Sequence, residues 1–76
     1  MMVSDVVAVL GLGPIGQLVA RVAKLSARAV YATEISQIRT ELARNVVDEV
    51  VNPKKTDPVD RILELTDGLG PDIVFE

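Results

Sequence analysis

The sequence contains no cysteine and no histidine in its 76 residues. That excludes a disulfide framework, a thiol nucleophile, a thiolate metal site and the imidazole that usually serves as general base near neutral pH. Aromatic residues are nearly missing as well, with only Tyr31 and Phe75, and basic residues are outnumbered 8 to 11 by acidic ones, for a net charge of −3. A nucleic-acid surface needs a basic field and stacking rings, so nucleic acid is not expected as a partner. Long hydrophobic runs are absent too. Val6 to Leu10 is typical of those present and falls far short of the roughly 20 residues that span a bilayer. Met1 to Asp5 offers no basic segment ahead of a long apolar one, so no membrane attachment is expected and the chain reads as cytoplasmic. What is present, 49% hydrophobic and 25% charged residues, fits one globular unit. A chain of this size buries only roughly 60% of the surface its unfolded form exposes, so its fold is marginal unless a partner covers it. The composition argues against a complete stand-alone catalyst.

Apolar patterning divides the chain into alternating strands and helices. Val6 to Leu10 is a short, continuously apolar, β-branched run stopped by Gly11, the pattern of a strand buried on both faces. Ile15, Leu18, Val19, Val22 and Ala23 then recur at three- and four-residue spacing, which predicts an amphipathic helix from about Pro14 to Leu25 with that set inward. Pro14 suits the first turn, where no backbone donor is needed. Ala29 to Thr33 is a second strand. Ser36 caps a second helix whose expected inner face is Ile38, Leu42, Ala43 and Val46. Glu49 to Asn52 is a third strand ended by Pro53. Asp57-Pro58 opens a third helix with Val59, Ile62, Leu63 and Thr66 inward, Gly68 and Gly70-Pro71 stop it, and Asp72 to Glu76 is a fourth strand. Four strands alternating with three helices imply right-handed crossovers and an α/β fold, a three-layer parallel sheet with strand order 3-2-1-4. Only the third helix covers the second face in that order, which leaves apolar sheet bare and strand 4 as an open edge. Self-association, or a missing complementary domain, is the expected consequence.

Gly11-Leu12-Gly13-Pro14-Ile15-Gly16 is a GxGxxG sequence that follows a strand and opens a helix, and the acidic Glu34 ends the second strand 18 positions beyond Gly16. Each part has a physical task in dinucleotide binding. Gly11 permits a tight turn, Gly13 lets a pyrophosphate approach the backbone with no Cβ in the way, and Gly16 lets the helix pack close to the sheet. Pro14 has no N–H, so the expected anion donors are the backbones of Ile15 and Gly16 at the helix N-terminus. Glu34 is placed to accept from the adenosine ribose hydroxyls and to repel a 2′-phosphate, which favours NAD over NADP. Arg39 is placed to flank the adenine or its ribose, and a guanidinium there can also bind a 2′-phosphate. Plainer readings stand beside these: a strand-to-helix turn that packs well and binds nothing, a solvated Glu34 paired with Arg39, and an exposed Arg39 paired with Glu34 or Glu41. No constellation abstracts a proton or holds a metal.

The stretches VVAVLGLGPIGQLVARVAKL, VYATEIS, ELARN, DEVVNP and ILELTDGLGPDIVFE resemble the nucleotide-binding domain of the medium-chain dehydrogenase/reductase family, nearest its zinc-type alcohol, polyol and threonine dehydrogenases. The resemblance runs from about Asp5 to Glu76. It implies a partial Rossmann fold over residues 1–76, in which the ADP-binding half and one further strand are present while the zinc-bearing catalytic domain and the second sheet half are absent. It implies NAD as cofactor, zinc only in the missing domain, and hydride transfer between a nicotinamide and an alcohol or ketone, with this chain alone binding at most the ADP part. The family usually has Gly-Ala where Ser26-Ala27-Arg28 stands, and Gly-Ala-Asp where Val46-Val47-Asp48 stands. Losing both helix-ending glycines should strain the turns or lengthen the helices. A nucleotide-sensing regulatory Rossmann module without catalysis is the alternative function.

Overall fold

A computed structural model of the protein describes residues 5–76. Met1 to Ser4, most of the segment read above as carrying no leader, lie outside the described residues. The elements run β1 (Val6–Leu10), α1 (Pro14–Lys24), β2 (Ala29–Thr33), α2 (Gln37–Ala43), β3 (Glu49–Val51), α3 (Pro58–Leu65) and β4 (Ile73–Phe75). All strands are parallel, in the order β3-β2-β1-β4. The expected α/β architecture is therefore the observed one. Alternation along β1 sends Val7 and Val9 into the core with α1, and Ala8 and Leu10 to the opposite face, where they meet α3. Among the described residues no helix is long and apolar enough to cross a membrane.

The expected inner faces of the helices are borne out at Val19, Ala23, Ala43, Val46, Ile62 and Thr66, which are buried or packed against the core, and corrected at the other positions. Ile15, Leu18 and Val22 point away from the sheet, with exposures of 69%, 62% and 55%, and the buried face of α1 is Gly16, Ala20 and Ala23, with Val19 partly covered. In α2 the same exchange leaves Ile38 and Leu42 exposed while Ala43 is buried. In α3, Ile62 and Thr66 are buried, whereas Val59 and Leu63 are exposed along an apolar cleft of about 280 Å³ shared with Ala8, Leu10 and Val74. The cause is distance. α1, pressed against the end of β1 at Gly16, has room beneath it only for small side chains, so the bulky members of its apolar stripe turn outward, whereas α3 keeps Ile62 inward. β4 stands at the sheet edge with Val74 and Phe75 exposed, as the strand order requires.

Losing the helix-ending glycines neither strains the turns nor lengthens the helices. α1 ends at Lys24, one residue short of the expected Leu25, and α2 at Ala43. Each end folds back through a single alanine carbonyl that accepts two successive amides, Ser26 and Ala27 onto Ala23, Val46 and Val47 onto Ala43. Positive φ outside glycine occurs among the described residues only at Asp67, next to Gly68 and beyond α3. Strand entry is fixed by two aspartates acting alike. The Asp48 amide donates to the Val30 carbonyl (2.8 Å) and its carboxylate accepts the Val30 amide (2.7 Å); Asp72 does both with Val6, at 2.8 and 2.7 Å. Lys24 pairs with Asp48, and Arg61 of α3 grips Glu49 of β3 through two hydrogen bonds.

Three carboxyls titrate below their ordinary values for reasons built into these contacts. At Asp48 burial opposes ionisation but is outweighed by the Val30 amide and Lys24; at Glu49 the hydrogen bonds from Arg61 dominate over burial; Glu34, described below, is lowered as well. A lowered folded pKa stabilises the folded state above the unfolded value and loses that contribution as pH falls through the folded value. Denaturant melts followed by circular dichroism should therefore give a stability that is flat above about pH 5.5 and declines steadily below about pH 4.5.

Candidate functional site

The loop from Gly11 to Gly13 lies at the carboxyl ends of β1 and β2, beside the point where strand order reverses between β1 and β4, which is where open α/β sheets bind ligands. Its three glycines differ in what requires them. Gly11 has φ +95°, a conformation that side-chain-bearing residues rarely adopt. A Cβ on Gly16 would lie 2.0 Å from the Gly11 carbonyl oxygen, so helix and loop touch where only hydrogen fits. Gly13 is different: its φ is −68°, and a Cβ there would meet nothing nearer than Arg39 Nη1 at 3.9 Å. The fold itself does not need a glycine at position 13.

Gly13 is also the N-cap of α1, followed by Pro14 in the first turn, and no side chain caps this end. The Gln17 amide closes the first helical hydrogen bond, onto the Gly13 carbonyl at 2.8 Å. The Ile15 and Gly16 amides precede it and have no acceptor within the helix, so they present free donors and the positive end of the helix dipole beside Gly13.

Glu34, one residue beyond β2, is neither solvated nor hydrogen-bonded to Arg39. Only 7% of it is exposed, and its carboxylate accepts three backbone amides: Leu12 on Oε1 at 2.6 Å, Ile35 and Ser36 on Oε2 at 3.1 and 2.9 Å. Burial pushes its pKa up, but these amides and the nearby Arg39 charge prevail and hold it below the ordinary value of 4.5. Glu34 is thus ionised at neutral pH. Arg39 does not pair with Glu41, which binds Arg44 and Gln37. Its guanidinium makes no hydrogen bond or salt bridge among the described residues and stands by the open notch over Gly13.

Two contributors escape a reading of the sequence. Leu12, the variable position of the motif, is fully buried and gives its amide to Glu34. Gln17 donates through Nε2 to the Leu12 carbonyl at 3.1 Å and to the Arg39 carbonyl at 2.9 Å, tying the loop to α2. Neither residue type signals a role on its own, and the pairing across 22 positions exists only in the fold. No group of three potential metal ligands occurs among the described residues, and the whole chain lacks His and Cys.

The comparisons with known proteins agree with this geometry. The family described as "Zinc-binding dehydrogenase" matches residues 14–76. The chain belongs to this zinc-binding dehydrogenase family. It is 42% identical over 74 residues to the (R,R)-butanediol dehydrogenase of Neisseria gonorrhoeae, which covers 95% of this chain and 21% of that protein. To the L-threonine 3-dehydrogenase of Thermococcus kodakarensis it is 44% identical over 68 residues, covering 87% and 19%. The solved alcohol dehydrogenase of Thermus sp. ATN1 superposes with a TM-score of 0.92 at 32% identity, covering 97% of this chain and 22% of the other. The chain thus spans about a fifth of the length of these dehydrogenases. The family implies a nicotinamide dinucleotide and zinc. Of these two, only the dinucleotide meets residues that fit it here.

The glycines give opposite expectations for the fold. Gly16→Ala should destabilise the protein by about 3 kcal/mol or more, because backbone must move to admit the methyl. Gly13→Ala should stay within about 0.5 kcal/mol of the parent. Denaturant midpoints for the two variants check both, and equal losses would remove the distinction drawn between the positions.

Proposed function

We propose that this chain is the ADP-binding half of an NAD-dependent zinc-type dehydrogenase. Its whole protein transfers hydride between a nicotinamide and an alcohol or ketone, and a zinc-bearing domain and a second sheet half complete it. The observation that carries the reading is Gly13, a glycine whose missing side chain serves nothing within the fold and leaves open backbone beside free helix amides. A pyrophosphate fits that description in size, charge and hydrogen-bonding capacity. Gly11, Gly13, Pro14, Ile15 and Gly16 would hold it, with Ile15 and Gly16 donating from their backbones. The alternative of a non-catalytic sensing module finds no support in the matches, which are named as dehydrogenases.

Glu34 selects the nucleotide. A carboxylate offers about four acceptor sites, and three are taken by amides, which leaves capacity for one ribose hydroxyl. Its fixed negative charge opposes a 2′-phosphate at the same place. Arg39 flanks the adenosine side, and its unpaired guanidinium is the one feature that favours NADP. Burial of the carboxylate among donors that keep it charged supports NAD. The bound dinucleotide supplies the hydride chemistry, while this chain's residues bind and orient its ADP portion. The same reading places the protein in the cytoplasm.

Calorimetric titration should show NAD and ADP-ribose binding more tightly than NADP by about tenfold or more, equivalent to about 1.4 kcal/mol. Gly13→Val should abolish binding of all three while the circular dichroism spectrum is retained. Equal affinity for NADP would overturn the role given to Glu34, and unimpaired binding by the valine variant would overturn the site.

The exposed Val74 and Phe75 on β4 and the adjoining apolar cleft give the chain a face for a second copy or a complementary domain. Sedimentation equilibrium at tens of micromolar should show self-association, and an ideal monomer across that range would count against it.

A further inference from the structure

A loop flanked by glycines has little in its own side chains to hold its peptide planes, so its shape must come from hydrogen bonds. Gly11 is anchored through its amide to the Thr33 carbonyl at 2.9 Å, and the Leu12 carbonyl is held by Gln17. The Leu12 amide is held by Glu34 alone, across 22 positions, by a hydrogen bond of 2.6 Å to an ionised acceptor. Both partners are buried. Removing the acceptor strands a buried donor between the two glycines and frees the Gly11–Leu12 peptide plane, the one that precedes the turn into Gly13.

We propose that Glu34 is a positioning residue for the phosphate-binding loop. By fixing the Leu12 amide it sets the backbone at Gly13 and the start of α1 before any ligand arrives, independently of its contact with a ribose. This rests on the dinucleotide reading above and adds to it a function of Glu34 toward the phosphates, which it does not touch.

The two functions predict opposite signs for a ligand without a ribose. As a charge near an anion site, Glu34 opposes phosphate, so neutralising it should tighten the binding of inorganic pyrophosphate. As a loop anchor, it should do the reverse. Glu34→Gln leaves one acceptor oxygen, enough for Leu12 or for the Ile35 and Ser36 amides but not for both sides. Glu34→Asp keeps the charge and still reaches the two neighbouring amides, but is one methylene too short for Leu12 at the same time.

Calorimetry on the full chain with inorganic pyrophosphate should show both variants weaker than the parent by about fivefold or more. Affinity unchanged or tightened in both overturns the proposal. In the ligand-free state, amide exchange at Leu12 should rise about tenfold in Glu34→Asp while Val30 in the core of β2 is unchanged. Parallel changes at both amides would mean general loosening and would overturn it too. Should neither variant fold, the parent still decides: scalar coupling across the hydrogen bond from the Leu12 nitrogen to the Glu34 carboxyl carbon is expected, and its absence overturns the proposal. A parent chain that binds neither pyrophosphate nor ADP-ribose removes the dinucleotide reading, while exchange and coupling at Leu12 still settle whether Glu34 sets the loop.

Discussion

The Gly11 carbonyl and Gly16 lie so close that no carbon fits between them, and most of the structure follows from that approach. It draws the first turn of α1 onto the end of β1 and compresses the connecting loop, which makes a positive φ necessary at Gly11. With the helix axis this near the sheet, the residues beneath it must be small, so Ala20 and Ala23 continue the line that Gly16 begins. The loop's inner amide, on Leu12, then points toward the end of β2, where Glu34 receives it. One steric contact thus fixes the helix height, the loop shape and the position of the buried acid.

The same approach leaves aliphatic surface unused. Ile15, Leu18, Val22 and, at the C-cap, Leu25 form a line along the outside of α1, and each forgoes more than half of the roughly 1.5–3 kcal/mol that fully burying a large aliphatic side chain provides. For a chain of this size that is comparable with its whole expected stability. Beside the buried valine and alanine core and the strand ladder, a few polar devices hold the sheet together. Asp48 and Asp72 each clamp an incoming strand to its neighbour through a paired backbone and side-chain contact, and Arg61 ties α3 to β3 through Glu49. These contacts are directional, so they fix strand register where apolar pairing between short β-branched strands would permit slippage.

Element order, strand order and the position of the glycine loop were legible because each rests on local signals: β-branched runs, glycine and proline stops, and the caps Ser36 and Asp57, both of which accept the expected amides. The helix faces were only half legible from apolar spacing: Val19, Ala23, Ala43, Val46, Ile62 and Thr66 lie inward as expected, and the larger residues of α1 and α2 do not. Ile15, Leu18 and Val22 satisfy a helical period as well as Gly16, Ala20 and Ala23 do, and a scale that ranks residues by hydrophobicity prefers the larger set. The choice is made by the distance from helix to sheet, a tertiary quantity that only Gly16 announces. The turns after α1 and α2 escaped for a related reason. Glycine is the common solution to ending a helix, but a carbonyl that accepts two amides ends it without a left-handed residue. At the site, the motif positions were readable one by one. The bond from Leu12 to Glu34 was not, since it joins the variable position of one motif to the acid of another segment.

That bond also bears on how specificity can arise in so small a unit. A carboxylate free in water would be an indifferent discriminator, because salt and solvent weaken its repulsion of a phosphate group. Held by three amides and withdrawn from solvent, the Glu34 charge is fixed in place and less screened, so its effect on a nearby phosphate is stronger and better directed. The amides that keep it ionised belong to the loop and the strand end that frame the notch over Gly13. On the proposed function, selectivity for the sugar and readiness for the phosphates draw on the same hydrogen bonds. On that proposal a chain without histidine, cysteine or a metal cluster among its described residues is exacting about its ligand, because the recognition it invokes needs only backbone donors, one missing Cβ and one immobilised charge.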